Sequence, residues 1–245
     1  MYFTFSVFLL ISGLSSIQYF VFSNLVKDTY KNLNVQVLSQ ISYSQTYINN
    51  IARNLCQSIY LSNGTDAFIY SNEIDVLLIS NLIRNIDAAV IPNPNIHSVY
   101  IYNRKQDLYL STLEGGLYRS DDFYDNEVKD LINYVVENKF MVNYPIPRKA
   151  IIASSELNND EKERLNVFTY IIVEKSSNNP DEVIGAVVLN VRADFLSNTI
   201  STLDTQSRFQ ENEILVINQD GIVVNHFLED KFLSDFSEKT YIREI

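Results

Sequence analysis

The chain has 245 residues, enough for one large or two small domains, with 46% hydrophobic and 20% charged residues and a formal net charge of −11. No charged residue precedes Lys27, so the acidic excess belongs to residues 27–245; such a surface repels phosphate backbones and anionic headgroups, which excludes nucleic acid as a partner of this region. The lone cysteine, Cys56, excludes an intrachain disulfide, CxxC redox chemistry and zinc fingers, and reads as a small apolar residue on a helix face.

Met1–Val26 carries no charge, and within it Tyr2–Phe22 is dense in Phe, Leu, Ile, Val and Tyr. A helix needs about 20 apolar residues to cross a bilayer core, so residues 1–23 read as a transmembrane helix with Tyr19, Phe20 and Phe22 as an interfacial aromatic belt. A cleaved signal peptide would have a basic start and an apolar core of roughly 7–15 residues. Here there is no basic start, and the apolar run continues past Gly13-Leu14-Ser15-Ser16. Lys27 and Lys31 follow the segment against the usual charge bias of an outside loop, which a preceding cytoplasmic tail would offset. The chain thus reads as a fragment whose second span and output domain lie elsewhere.

From Asn24 to Tyr60 there is neither Pro nor Gly, and Leu33, Val37, Ile41, Ile48, Ile51, Leu55 and Ile59 recur at helical spacing. The spacing predicts a long signalling helix over 24–62, with a second face available for a parallel homodimer. Asn63-Gly64 is expected to end it in a turn, and Asn63-Gly64-Thr65 also matches the short N-glycosylation pattern. Ile74–Val90 reads as a helix closed by Pro92 and Pro94. His97–Thr112 reads as a hairpin, in which Val99, Ile101, Leu108 and Leu110 alternate with Tyr100, Tyr102, Tyr109 and Ser111 about the turn Asn103–Asp107. Asp125 is expected to cap a helix bearing Val128, Leu131, Ile132, Val135 and Val136 that ends at Asn138.

Three strands are expected at Phe140–Pro145, Val167–Glu174 and Val183–Val191, separated by the polar loops Glu156–Asn166 and Lys175–Asp181. Asp194 begins a short helix with Phe195, Ile200 and Leu203, and Ile214–Ile217, Asn218–Gly221 and Ile222–Asn225 form a second hairpin. The fold class is α+β: a transmembrane helix continuing into a long helix, then two antiparallel-sheet modules, over 63–204 and, incompletely, 205–245.

No HExxH, EF-hand, CxxC, Gly-x-Ser-x-Gly or phosphate-loop motif occurs. Catalytic residues, metal and cofactor are therefore all read as none, and the chain as no enzyme.

The apolar anchor, the long helix, the hairpin Val99–Leu110, the strand Val183–Val191 with its Asp194-led helix, and the segment from Ile214 to Asn225 together resemble the double Cache family of extracytoplasmic sensors. The resemblance covers most of Asn24–Asn225. The Tyr- and Asn-rich texture looks like sensors joined to AraC-type regulators or histidine kinases. The family holds a small ligand in the membrane-distal module. Its amino-acid-binding subgroup uses an Arg-x-x-x-Trp motif, a following Tyr and an Asp at the end of the closing strand. The resemblance places Arg119 and Phe123 on that motif, with Phe for Trp, Tyr144 on the Tyr and Asn190 where the Asp stands, with Tyr124 and Arg148 as nearby candidates. A neutral amide does not pair an ammonium, so a sugar or a peptide is as well suited as an amino acid. The implied function is the extracytoplasmic sensing region of a membrane receptor that signals on ligand binding. The alternatives are an anchored binding or adhesion protein without output and an anchored hydrolase.

Overall fold

The computed structural model describes residues 2–138, 145–152, 164–179, 182–195, 198, 215–226 and 229–239. It divides into two compact units, Met1–Gln45 and Thr46–Ile245. The first unit is helical, within helix α1 (Tyr2–Tyr60). Among the described residues one helix is long and apolar enough to cross a membrane, and none of its apolar window is buried inside the protein. Phe8, Leu10, Ile17, Phe20 and Phe22 are all exposed, so this segment is a candidate transmembrane span rather than a core helix.

The second unit begins with the last turns of α1, whose Ala52, Cys56 and Ile59 are buried at spacings of four and three. Burial pushes the Cys56 thiol up to about 12, which makes it an inert packing group. α1 stops at Tyr60, and Asn63-Gly64 is not the turn expected of it. Ser62 accepts a hydrogen bond from the Thr65 amide and caps a further short helix, α2 (Asn63–Tyr70), so the pair forms the first turn of a helix. Thr65 of the glycosylation pattern is buried there. α3 (Val76–Val90) is capped by Asp75, whose Oδ1 accepts from the Leu77 and Leu78 amides. α4 (Glu127–Glu137) ends at Asn138 as expected, but the Asp125 side chain does not cap it; its carboxylate is directed elsewhere.

The strands are β1 (Ile96–Asn103), β2 (Leu108–Ser111), β3 (Leu117–Arg119), β4 (Ile146–Ile151), β5 (Arg164–Lys175) and β6 (Val183–Arg192). They make one antiparallel sheet in the order β3-β2-β1-β6-β5-β4. The expected strand at Phe140–Pro145 falls almost wholly outside the described residues, as do Ile200, Leu203 and Ile214; β4 begins just after it. β7 (Leu215–Ile217) and β8 (Val223–His226) form the second hairpin. In its turn Asn218 Oδ1 accepts from the Asp220 and Ile222 amides, and Gly221 takes a φ of 78° that favours glycine.

Alternation gives the sheet two faces. Val99, Ile101, Leu110, Val187, Leu189 and Tyr170 share one face, packed with α2, α3 and the end of α1; Tyr170 donates to Asn49 at 2.6 Å. Burying each aliphatic side chain contributes about 1.5–3 kcal/mol. On the same face Asn103 donates to the Phe68 and Ser71 carbonyls, closing the end of α2. The opposite face bears Ser98, Tyr100, Tyr102, Tyr109, Ser111, Thr169, Ile171, Ala186, Val188 and Asn190, and α4 covers part of it through Val128, Ile132 and Val135.

Candidate ligand-binding site

The α4 face carries a rank of polar side chains straight across the sheet. Ser98 on β1 is the register partner of Asn190 on β6, which is the partner of Thr169 on β5. All are buried, and each interrupts an otherwise apolar strand face. Arg148, on β4, extends the rank: Nε donates to Thr169 Oγ1 at 2.9 Å, and Nη2 donates to Asn190 Oδ1 at 3.2 Å. Thr169 Oγ1 in turn donates to Asn190 Oδ1 at 2.8 Å, while Asn190 Nδ2 donates to Ser98 Oγ at 3.0 Å.

Asp125, at the entrance to α4, closes the network. Arg148 Nη1 and Nη2 donate to its two carboxylate oxygens at 2.9 and 2.6 Å in a fork-to-fork pair. Asp125 is fully buried and Arg148 is 8% exposed. Removing two charges from water costs several kcal/mol per ion before pairing offsets it, so an apolar pair would serve packing at least as well. A buried ion pair set against a sheet face is thus better explained by recognition than by stability.

Beside the network lies a cluster of rings. Tyr109 stacks on Phe123 at 4.4 Å and on Tyr102 at 4.5 Å. Tyr100 meets Phe123 edge-on at 5.0 Å, and Tyr124 packs on Phe123 at 4.5 Å and against Tyr118 at 5.6 Å. The Tyr124 hydroxyl shares a 2.7 Å hydrogen bond with Ser111. Tyr100 Oη, Tyr109 Oη and Ser120 Oγ are buried without a partner within hydrogen-bond geometry. A buried unpaired polar group costs about 1–3 kcal/mol, so a packing core built of phenylalanine would be cheaper. Burial, then the Asp125 charge, pushes the Tyr100 phenol up to about 12, so it stays protonated and neutral. A cleft of about 270 Å³ opens at the far end of this face, lined by Tyr102, Arg104, Asp107, Lys129, Ile132, Asn133 and Val183. Its charged walls are half exposed, and the buried chemistry lies instead behind its inner wall, Tyr102.

Of the residues singled out from sequence, the structure brings Phe123, Tyr124, Arg148 and Asn190 to this one face. Arg119 is not among them: it ends β3 at the sheet edge with its side chain exposed. Tyr144 lies outside the described residues. Asp125, Ser98 and Thr169 were not anticipated. Asp125 has the look of a helix cap, and only its buried arginine partner reveals otherwise. Ser98 and Thr169 did carry a signal, as small polar residues on the inward side of long apolar strands. Among the described residues no group of three potential metal ligands occurs.

No family model matches the chain, and no curated protein does. Solved structures do. The sensory domain of the Campylobacter jejuni chemoreceptor Tlp3 with isoleucine bound is similar at 14% identity and a TM-score of 0.51, over 85% of this chain and 74% of that one. The Tlp3 ligand-binding domain in complex with L-valine gives 12% identity and 0.51, over 89% and 78%. The ligand-binding domain of the Pseudomonas aeruginosa amino acid chemoreceptor PctB with L-Arg gives 12% and 0.50, over 85% and 68%. At these identities the likeness is one of fold: the chain has the mixed helix and antiparallel-sheet architecture of Cache-type sensory domains.

Proposed function

We propose that this chain is the extracytoplasmic ligand-sensing region of a membrane-anchored receptor, a binding module and not an enzyme. A small molecule sits on the α4 face of the sheet, in the module read as 63–204, with 205–245 beginning a membrane-proximal module. The observation that carries the reading is the buried Asp125–Arg148–Asn190–Thr169–Ser98 network beside tyrosine hydroxyls without partners. Support also comes from the fold, which is that of chemoreceptor sensory domains. The exposed apolar run of α1 supplies the anchor, and homodimers through the helix are the expected assembly.

Transmission follows from one strand. Thr169 of β5 lies in the ligand wall, while the next residue, Tyr170, points to the opposite face and donates to Asn49 of α1. Further along β5 the Glu174 carboxylate accepts from Tyr60 of α1 and Tyr70 of α2. A ligand that shifts β5 therefore pulls directly on α1, the helix that carries the apolar run. It changes output only to the extent that it binds the two states unequally, and a tenfold preference corresponds to about 1.4 kcal/mol.

The test uses the full chain in lipid nanodiscs, screened by thermal unfolding against pooled amino acids, sugars, organic acids and short peptides. An active pool should raise the melting temperature and alter hydrogen exchange in residues 46–60. If no pool changes either readout, the sensing function is wrong. Turnover of a pooled glycoside or peptide substrate would favour the hydrolase alternative.

A further inference from the structure

Among the described residues, the buried wall of the site holds no uncompensated charge, and this bears on what it binds. An arginine guanidinium has five N–H donors. Arg148 directs Nε at Thr169, Nη1 at Asp125, and Nη2 at both Asp125 and Asn190, so four of its five N–H donors are taken up by the protein and its charge is cancelled by the Asp125 carboxylate. Asn190 is neutral, and its carbonyl oxygen already accepts from Thr169 and Arg148. Arg119, the other cation the sequence offered for gripping a carboxylate, stands exposed at the sheet edge. Among the described residues, the buried hydroxyls of Tyr100, Tyr109 and Ser120 have no partner within strict hydrogen-bond geometry; Ser98 and Tyr124 lie beside the first and Ser120 beside the second, at looser geometry that a ligand hydroxyl can improve on.

We propose that the ligand is an uncharged, polyhydroxylated ring compound of the sugar class rather than a free amino acid. This rests on the sensory reading above. A zwitterion buried here would bring a carboxylate to a guanidinium already paired and an ammonium to a carboxylate already paired. Each charge would be desolvated without a new partner of opposite sign. A sugar brings hydroxyls that both donate and accept, matching the Tyr100, Tyr109 and Ser120 hydroxyls. It also brings apolar ring faces that suit the partly buried rings of Tyr118 and Tyr124. The ion pair then serves as a neutral scaffold that fixes Asn190 and Thr169, not as a clamp on the ligand.

The experiment measures thermal unfolding of the full chain in nanodiscs with D-glucose, D-galactose, D-xylose, maltose or cellobiose, each against L-isoleucine, L-valine and L-arginine. At least one sugar should raise the melting temperature by several degrees, and the amino acids should not. Tyr109→Phe and Tyr100→Phe remove unpartnered hydroxyls and keep the rings. Each should leave the unliganded melting temperature unchanged or raised while weakening sugar affinity about tenfold, the equivalent of one lost hydrogen bond. A shift with an amino acid and none with sugars overturns the ligand class but keeps the sensory reading. A sugar response untouched in both variants overturns the proposal by placing the sugar elsewhere. Silence in both series, with silence in the pooled screen, defeats both readings.

Discussion

The two faces of the six-stranded sheet are made from the same strands and are equally buried, yet they are built to different ends. On β1, Val99 and Ile101 face the helices α2 and α3, while Ser98 and Tyr100 face α4. On β6, Val187 and Leu189 share the first face, and Val188 and Asn190 the second. The α2–α3 face is mainly aliphatic and its polar groups are paired, as where Asn103 closes α2 and Tyr170 donates to Asn49. The α4 face instead carries an ion pair, an amide, the small hydroxyl side chains of Ser98, Ser111 and Thr169, and a cluster of phenols. Stability alone does not ask for that difference. A sheet covered on both sides can use one face as its foundation and the other to recognise a ligand.

The comparison breaks most sharply at Asp125. Asp125→Ala leaves the Arg148 guanidinium buried and unpaired, and should cost about 3–5 kcal/mol in urea unfolding. The double replacement Asp125→Ala with Arg148→Met should recover most of that loss. If the single variant is as stable as the native chain, the pair is not the closed element it is taken to be. The foundation face responds to volume instead of charge. A Cβ on Gly185 would lie 2.6 Å from the Tyr102 carbonyl oxygen and 2.7 Å from Ile69 Cγ2. Gly185→Ala should therefore destabilise by about 1–3 kcal/mol, and a smaller side chain at Ile69 relieves only the second of these clashes.

How far these faces were legible in the sequence depended on how local their cause was. The hairpin around Asn103–Asp107 and the closing strand at Val183 followed from alternation and turn chemistry, because each is fixed by neighbours in the chain. α2 was missed because Asn63-Gly64 reads as a turn until Ser62 is seen to cap it. β3 was missed for a different reason: Leu117–Arg119 is too short to alternate and exists only as an edge paired with β2. Phe123, Tyr124, Arg148 and Asn190 were named through a family resemblance, and all four lie on the α4 face. The arginine the motif favoured, Arg119, proved to be at the surface. Asp125 and Arg148 are far apart in sequence, and nothing local tells a helix-entry aspartate from one that neutralises a buried guanidinium.

A smaller effect tests the link between the faces. Glu174 accepts from Tyr60 and Tyr70, and the hydrogen bond to Glu174, followed by burial, pushes the Tyr70 phenol up to about 12. Glu174→Gln keeps the shape and removes the charge. It should cost about 1 kcal/mol, because the cluster is partly open to water. On the transmission reading, ligand affinity stays near native while the ligand-induced change in hydrogen exchange over residues 46–60 shrinks. A stability loss with the exchange response intact would make this cluster a fastening and no more.

The smallest expected effect is a pH dependence centred on His97, which adjoins the network through a 3.1 Å contact between Nδ1 and Ser98 Oγ. Burial, then the Arg192 charge, lowers its pKa below the ordinary value of 6.5, with Asp125 opposing and Arg148 adding to the shift. The folded chain therefore binds fewer protons at this residue than the unfolded chain between the two values. The stability it contributes is complete above 6.5 and is lost as pH falls through the folded pKa. Melting temperature should decline on mild acidification, and His97→Asn, which keeps a hydrogen-bonding group beside Ser98 but cannot be protonated, should flatten the decline. Because Asp125 pulls the histidine the other way, removing its charge in Asp125→Asn should lower the His97 pKa further, and an NMR titration reads that directly. An unchanged titration would mean that the network's charge is not felt one residue from its edge.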